Sequence, residues 1–130
     1  MTLADVKEFL KRKVECPHWY VGKRDTAKEQ SITVYPTQGP VPIVPIGGLH
    51  NSSYGTKAVS VLIHWGRFCT PAEEKAQEVY DYLLGQSGLI GSREVIKFDM
   101  RTDAPVGMGT DDKGFYEYVI NFVIYYKKER

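Results

Sequence analysis

Residues 115–127, Phe-Tyr-Glu-Tyr-Val-Ile-Asn-Phe-Val-Ile-Tyr-Tyr-Lys, alternate without interruption. Tyr116, Tyr118, Ile120, Phe122, Ile124 and Tyr126 make one apolar-aromatic face. Glu117, Val119, Asn121, Val123 and Tyr125 make a mixed one. A period of two puts successive side chains on opposite faces of a strand. An ordinary strand has about five or six residues, so this run crosses a whole sheet or extends past it. The chain is thereby committed to a sheet with one strongly apolar face, and other elements must cover that face.

Two helices are available to do so. Leu3, Val6, Leu10 and Val14 fall on one stripe of residues 3–14, with Phe9 beside it. Thr2 is placed to cap that helix, Asp5 sits where a capping-box acid belongs, and Pro17 ends it. Thr70-Pro71-Ala72-Glu73-Glu74 reads as a second helix start, with Thr70 as N-cap and Pro71 in the first helical position. Ala72, Ala76, Val79, Tyr80 and Leu83 recur at helical spacing, and Gly85, Ser87 and Gly88 stop the helix.

Four further strands are predicted. Trp19-Tyr20-Val21-Gly22 and Ser31–Tyr35 pair with each other across the polar stretch 23–30. Thr56–Trp65 turns Val59, Val61, Ile63 and Trp65 one way and Ala58, Ser60, Leu62 and His64 the other. Val95–Met100 places Ile96, Phe98 and Met100 on one face. Residues 101–114 read as a turn-rich loop. The expected fold is one α+β domain over 1–130: a single mostly antiparallel or mixed sheet of about five strands, with two helices on one face.

Residues 36–55 fit no element. They hold four of the seven prolines and four glycines around an apolar centre, Val41-Pro42-Ile43-Val44-Pro45-Ile46. Proline at this density forbids a helix or a central strand. A loop of about twenty residues is uncommon in a compact domain and is often functional. An apolar one must fold over its own core or pack on a partner. The interface candidates are therefore Val41, Pro42, Ile43, Val44, Pro45 and Ile46, joined by Val106 and Met108 from the second long loop.

Composition narrows the function. Lys+Arg is 17 and Asp+Glu is 16, a net charge of +1, so the overall basic surplus of a non-specific nucleic-acid binder is missing. Nine tyrosines suit an interface, where tyrosine is enriched. Met1–Glu8 lacks a basic region followed by an apolar one, and no apolar run approaches the ~20 residues that span a bilayer. A protein of reducing cytoplasm, without membrane partners and with Cys16 and Cys69 as free thiols, is expected.

Catalytic, cofactor and metal constellations are not found. Two cysteines without a paired motif do not make a zinc site. Gly107-Met108-Gly109 lacks the third glycine of a dinucleotide fingerprint and precedes a strand rather than a helix. Asp111-Asp112-Lys113-Gly114 is a turn sequence. Two alternatives stay open. A nucleic-acid-binding module would use Lys11, Arg12, Lys13, Lys127, Lys128 and Arg130. A small hydrolase would need His64 and Asp111 within hydrogen-bond reach in a cleft.

Three stretches in order carry a resemblance: Ser60-Val-Leu-Ile-His-Trp-Gly66, Thr70-Pro-Ala-Glu-Glu-Lys-Ala76 running on to Val79-Tyr-Asp-Tyr-Leu83, and Val106-Gly-Met-Gly-Thr-Asp-Asp-Lys-Gly-Phe-Tyr-Glu-Tyr-Val-Ile-Asn-Phe122. Together they resemble the small minor capsid proteins of tailed phages of Gram-positive bacteria, which are similar to siphophage tail terminators. The resemblance covers the chain from about Trp19 onward. It implies a curved sheet flanked by two helices and a structural, non-enzymatic virion protein made in the host cytoplasm. It also implies a ring, commonly of six subunits, at the head-tail junction. The partners would be the tail tube protein and the head connector or stopper, with DNA passing through unread. It brings no catalytic residues and no cofactor.

Overall fold

In the computed structural model, residues 1–23, 28–40, 46–48 and 53–128 are described. The element order is α1 (Leu3–Lys11), β1 (Trp19–Val21), β2 (Gln30–Pro36), β3 (Tyr54–Trp65), α2 (Cys69–Leu83), β4 (Gly88–Ile90), β5 (Arg93–Met100), β6 (Val106–Thr110) and β7 (Tyr116–Lys127). The strands form one sheet in the order β1-β2-β3-β7-β5-β4, with β6 also on β7. All pairs are antiparallel except β1 with β2, which run parallel. The fold is α+β, with a mixed sheet.

β7 is the organising strand. One edge pairs with β3 from Tyr54↔Lys127 to His64↔Glu117. The other is shared, β5 on its C-terminal half and β6 on its N-terminal half. The registered pairs Val59↔Phe122, Val61↔Ile120 and Ile63↔Tyr118 put the apolar alternation of both strands on one face. At the start of β3, a Cβ on Gly55 would lie 2.7 Å from the ring of its partner Tyr126, so only glycine lets that ring lie flat there.

Both helices lie on this face. Val6, Phe9 and Leu10 of α1, and Ala72, Ala76, Val79, Tyr80 and Leu83 of α2, are buried in one cluster with Ile32, Val34, Val59, Val61, Ile63, Ile120, Phe122 and Ile124. Phe9 joins the helices to the sheet: its ring stacks on Tyr82 at 5.4 Å and meets Phe98 at 5.5 Å. The α1 capping box forms as expected, Asp5 N donating to Thr2 Oγ1 at 3.2 Å and Thr2 N to Asp5 Oδ2 at 2.9 Å. Tyr80 Oη donates to Thr102 O at 2.7 Å and anchors α2 to the connection after β5.

The structure departs from the expectation in four places. There are seven strands among the described residues rather than about five. The three-residue β4 is too short to show a period. β6 lies inside the supposed loop 101–114; all five of its residues are exposed, and it is a strand because the free half of β7 offers it a backbone ladder. In β5, the register runs Val95↔Tyr126 and then Lys97↔Tyr125, so Ile96 is an extra, bulged residue. The bulge sends Val95 into the core and leaves Ile96 exposed, reversing the expected face at that point. Helix α1 stops at Lys11, with Arg12 as C-cap, well before Pro17. Helix α2 begins at Cys69 with Phe68 in the N-cap position and no side-chain cap, so Thr70 is inside the helix. Pro71 is tolerated because amides of the first turn have no intrahelical acceptor.

Candidate assembly interface

The sheet face turned away from the helices is built differently. Ser31, Thr33 and Tyr35 of β2 face it, opposite His64, Leu62 and Ser60 of β3. Those in turn oppose Glu117, Val119 and Asn121 of β7. β6 continues the face through Val106, the partner of Val119. Across these four strands runs an open groove of about 520 Å³, lined by Tyr35, Pro36, Thr37, Ser60, Leu62, Met108, Glu117 and Val119. Its lining is mostly apolar surface with a few hydroxyls and one carboxylate, the usual make-up of a recognition groove.

One end of this face is closed by the turn between β6 and β7. Asp111 N donates to Phe115 O at 2.9 Å, and Gly114 N to Asp111 O at 3.0 Å. Asp111 Oδ1 accepts from both Lys113 N and Phe115 N at 2.9 Å. Its other oxygen, Oδ2, lies 2.8 Å from His64 Nε2. Phe115 packs edge-on against the imidazole at 5.1 Å, with the Arg67 guanidinium 4.8 Å over its ring. Burial works to raise the Asp111 carboxyl, but the hydrogen bonds from His64, Phe115 and Lys113 overcome it and hold the group below the usual carboxylate range.

This pair bears on the hydrolase reading. His64 and Asp111 do come within hydrogen-bond reach, as that reading requires. Their side chains are 1% and 7% exposed, however, so no substrate reaches them. The pair is a staple that fixes the turn to β3, and Asp111-Asp112-Lys113-Gly114 is the turn its composition indicates. The neighbouring Ser31 Oγ, Thr33 Oγ1 and His64 Nδ1 are buried with no hydrogen-bond partner among the described residues.

Of the interface candidates, Val41, Pro42, Ile43, Val44 and Pro45 lie outside the described residues. Ile46 is fully exposed, Val106 is 39% exposed and Met108 58% exposed. Met108 reaches the groove. Sequence reasoning missed the rest of the groove, Tyr35, Ser60, Leu62, Glu117 and Val119. The available signal was the second alternation of β3 and β7, whose mixed polarity gives it no prominence beside the apolar one.

Other candidates are placed as follows. Cys16 and Cys69 are free thiols. Cys69 is exposed at the start of α2, with Sγ 3.7 Å from Tyr118 Oη. Burial, together with this contact, pushes the Tyr118 hydroxyl up to about 12. The basic residues are partly spoken for: Arg12 Nη1 donates to Leu89 O at 3.1 Å, and Lys127 pairs with Glu94 at 3.1 Å. Arg130 lies outside the described residues. Among the described residues, no group of three His, Cys, Asp or Glu converges to hold a metal ion. No described helix is long and apolar enough to cross a membrane.

The fold and this face define a structural class: a single sheet sealed by helices on one side and offering a groove edged by the exposed strand β6 on the other. The chain matches, over residues 3–128, the family model described as bacteriophage tail terminator protein. It belongs to that family and is a structural phage protein, a component of the virion. The sequence has no significant match among curated proteins or among solved structures.

Proposed function

We propose that the protein forms a ring, six-membered by the expectation above, that ends the tail tube and joins it to the head connector or stopper, with DNA passing through unread. The carrying observation is the family match across residues 3–128. The exposed apolar positions Val106 and Met108, neighbours on the exposed strand β6 beside the groove, support it as a surface a partner could cover. The reading is non-enzymatic: the single acid-base pair that the hydrolase alternative named is sealed inside the fold. The tail tube protein and the head-side protein are the partners, and the head-tail junction is the site of action.

Light scattering over a wide concentration series tests the ring. A species near six times 14.8 kDa supports it. Electron microscopy of lysates from a phage lacking the gene tests the role. Tails of unregulated length, or finished tails unattached to heads, are expected. Normal virions would sink the terminator reading.

A further inference from the structure

Exposed apolar side chains collect at two opposite ends of the molecule. Among the described residues, Phe68, Val106 and Met108 are exposed around the start of α2, and Leu84, Leu89 and Ile96 around its end. Tyr118 ties the first group together. Its Oη lies 3.7 Å from the Sγ of Cys69, the residue after Phe68, and a Cβ on Gly107 of β6 would lie 3.4 Å from its ring. The second group comes from the turn after α2 and from the β4–β5 hairpin, where Leu89 pairs with Glu94 and Gly88 with Val95. Two elements hold the groups apart. Helix α2 has 15 residues, about 22 Å at 1.5 Å each. β7 meets β6 at Tyr118 and β5 at Tyr126, about 26 Å further along the strand.

The two ends differ in charge. Beyond Phe68, Glu73 and Glu74 are exposed in the first half of α2. Arg67 is engaged elsewhere, its guanidinium 4.8 Å over the Phe115 ring and its Nε donating to Lys113 O. At the other end, Arg12 Nη1 donates to Leu89 O at 3.1 Å and so brings the basic run Lys11-Arg12-Lys13 to β4. Tyr82 Oη donates to Phe9 O at 3.4 Å, which holds the last turn of α1 against the last turn of α2. Lys11 and Lys13 are exposed, and neither they nor Glu73 and Glu74 form an ion pair with a described residue. One end is thus apolar with acids, the other apolar with bases. Apolar anchors supply affinity when buried, and opposite charges beside them select partner and orientation. A single copy cannot join its own two ends, because α2 and β7 hold them apart. A second copy can.

We propose that the Phe68 end of one copy docks on the Leu89 end of the next, with Glu73 and Glu74 against Lys11, Arg12 and Lys13. This rests on the ring reading and names the contact that builds it. The two surfaces differ, so the contact is head-to-tail and propagates until it closes.

The test uses two full-length variants, read by mass in solution. Phe68→Asp spoils one end and Leu89→Asp the other. Both side chains are more than half exposed, so the fold tolerates the change. Each alone is expected to weaken assembly by about thirtyfold or more, as for a central anchor. Mixed in equal amounts, they should give a one-to-one dimer and nothing larger, because each keeps the end that the other lacks. A charge exchange checks the pairing. Glu73→Lys with Glu74→Lys should abolish assembly, and adding Lys11→Glu and Lys13→Glu to the same chain should restore it. Variants that assemble like the wild type overturn the proposal and leave the ring reading standing. So does a mixture that stays monomeric while the wild type forms rings, or a charge exchange that restores nothing.

Cross-linking covers a wild type that is monomeric at every concentration, a result that sinks the ring reading. Cys69 is exposed beside Phe68, and Leu89→Cys puts a thiol at the other end. A short bismaleimide should then give a ladder of multimers at high protein concentration, and the ladder should vanish when Phe68→Asp is added. That ladder supports the contact with or without rings. Its absence, or its survival in the presence of Phe68→Asp, overturns it.

Discussion

The two faces of β7 are made from one alternating run, yet they do opposite things. On the helix side, Ile120, Phe122 and Ile124 are completely buried under α1 and α2. On the other side, Glu117, Val119, Asn121 and Tyr125 are only half-buried. Val123, whose cross-strand partners are Ala58 and Asp99, is the exception. The first face is completed by the chain itself. The second carries a groove, three buried polar atoms without partners among the described residues, and an exposed β6 arm. A buried orphan polar group typically costs about 1–3 kcal/mol. The second face is thus less completely packed than the first, and part of it stays open to solvent.

The sharpest way to break the comparison is to truncate matched positions on the two faces. Phe122→Ala should cost about 3–5 kcal/mol in urea unfolding, the range for a fully buried phenylalanine. Val119→Ala, three positions away but in the groove, should cost far less, because its side chain loses only half-buried contact. Equal losses would show that the second face is as much a core as the first.

The His64–Asp111 staple comes next. Asp111→Ala removes the hydrogen bond to His64 and the two that the Lys113 and Phe115 amides donate to the carboxylate, and should destabilise by about 1.5–3 kcal/mol. The pH dependence follows from the direction of the shift. Asp111 is held below its unfolded value, near 3.9. Its contribution is therefore present above about pH 4 and lost as pH falls through the folded value. The stability gap between wild type and Asp111→Ala should narrow on acidification in that window. A gap that is constant down to pH 2 would show that the carboxylate charge does not matter.

A smaller effect belongs to the helix side. Thr2→Ala removes the Thr2 half of the capping box and should cost about 1 kcal/mol. Thermal unfolding reads it directly, and no change would mean that α1 is held by its buried stripe alone.

What could be read from the sequence divides along the same line. The helix side was legible because burial there imposes a period: the five residues at helical spacing in α2 are the five that are buried. The capping box was legible because its chemistry is local. The second face was not, for three physical reasons. β6 has no apolar alternation, and the backbone of β7 makes it a strand. The bulge at Ile96 shifts the phase of β5 by one residue, and a phase shift leaves no mark on composition. The groove joins four strands distant in sequence, so none of its residues announces the others. The loop 36–55 stands out in the sequence by its proline content, whereas the groove exists only once tertiary geometry brings its residues together.

The smallest expected effect is also the most discriminating. Met108→Asp changes a mostly exposed residue on an exposed edge strand. Protomer stability in urea should move by no more than about 0.5 kcal/mol, as for ordinary surface positions. The same change places a carboxylate beside Leu62 and Val119, where an apolar ligand would have to leave it unpaired, so assembly should suffer. Stability that is unmoved while the mass in solution falls to that of a monomer would separate the two faces by function. If both measurements fell together, Met108 would be part of the protomer's own packing, and the contrast between a face for folding and a face for assembly would fail at its most exposed point.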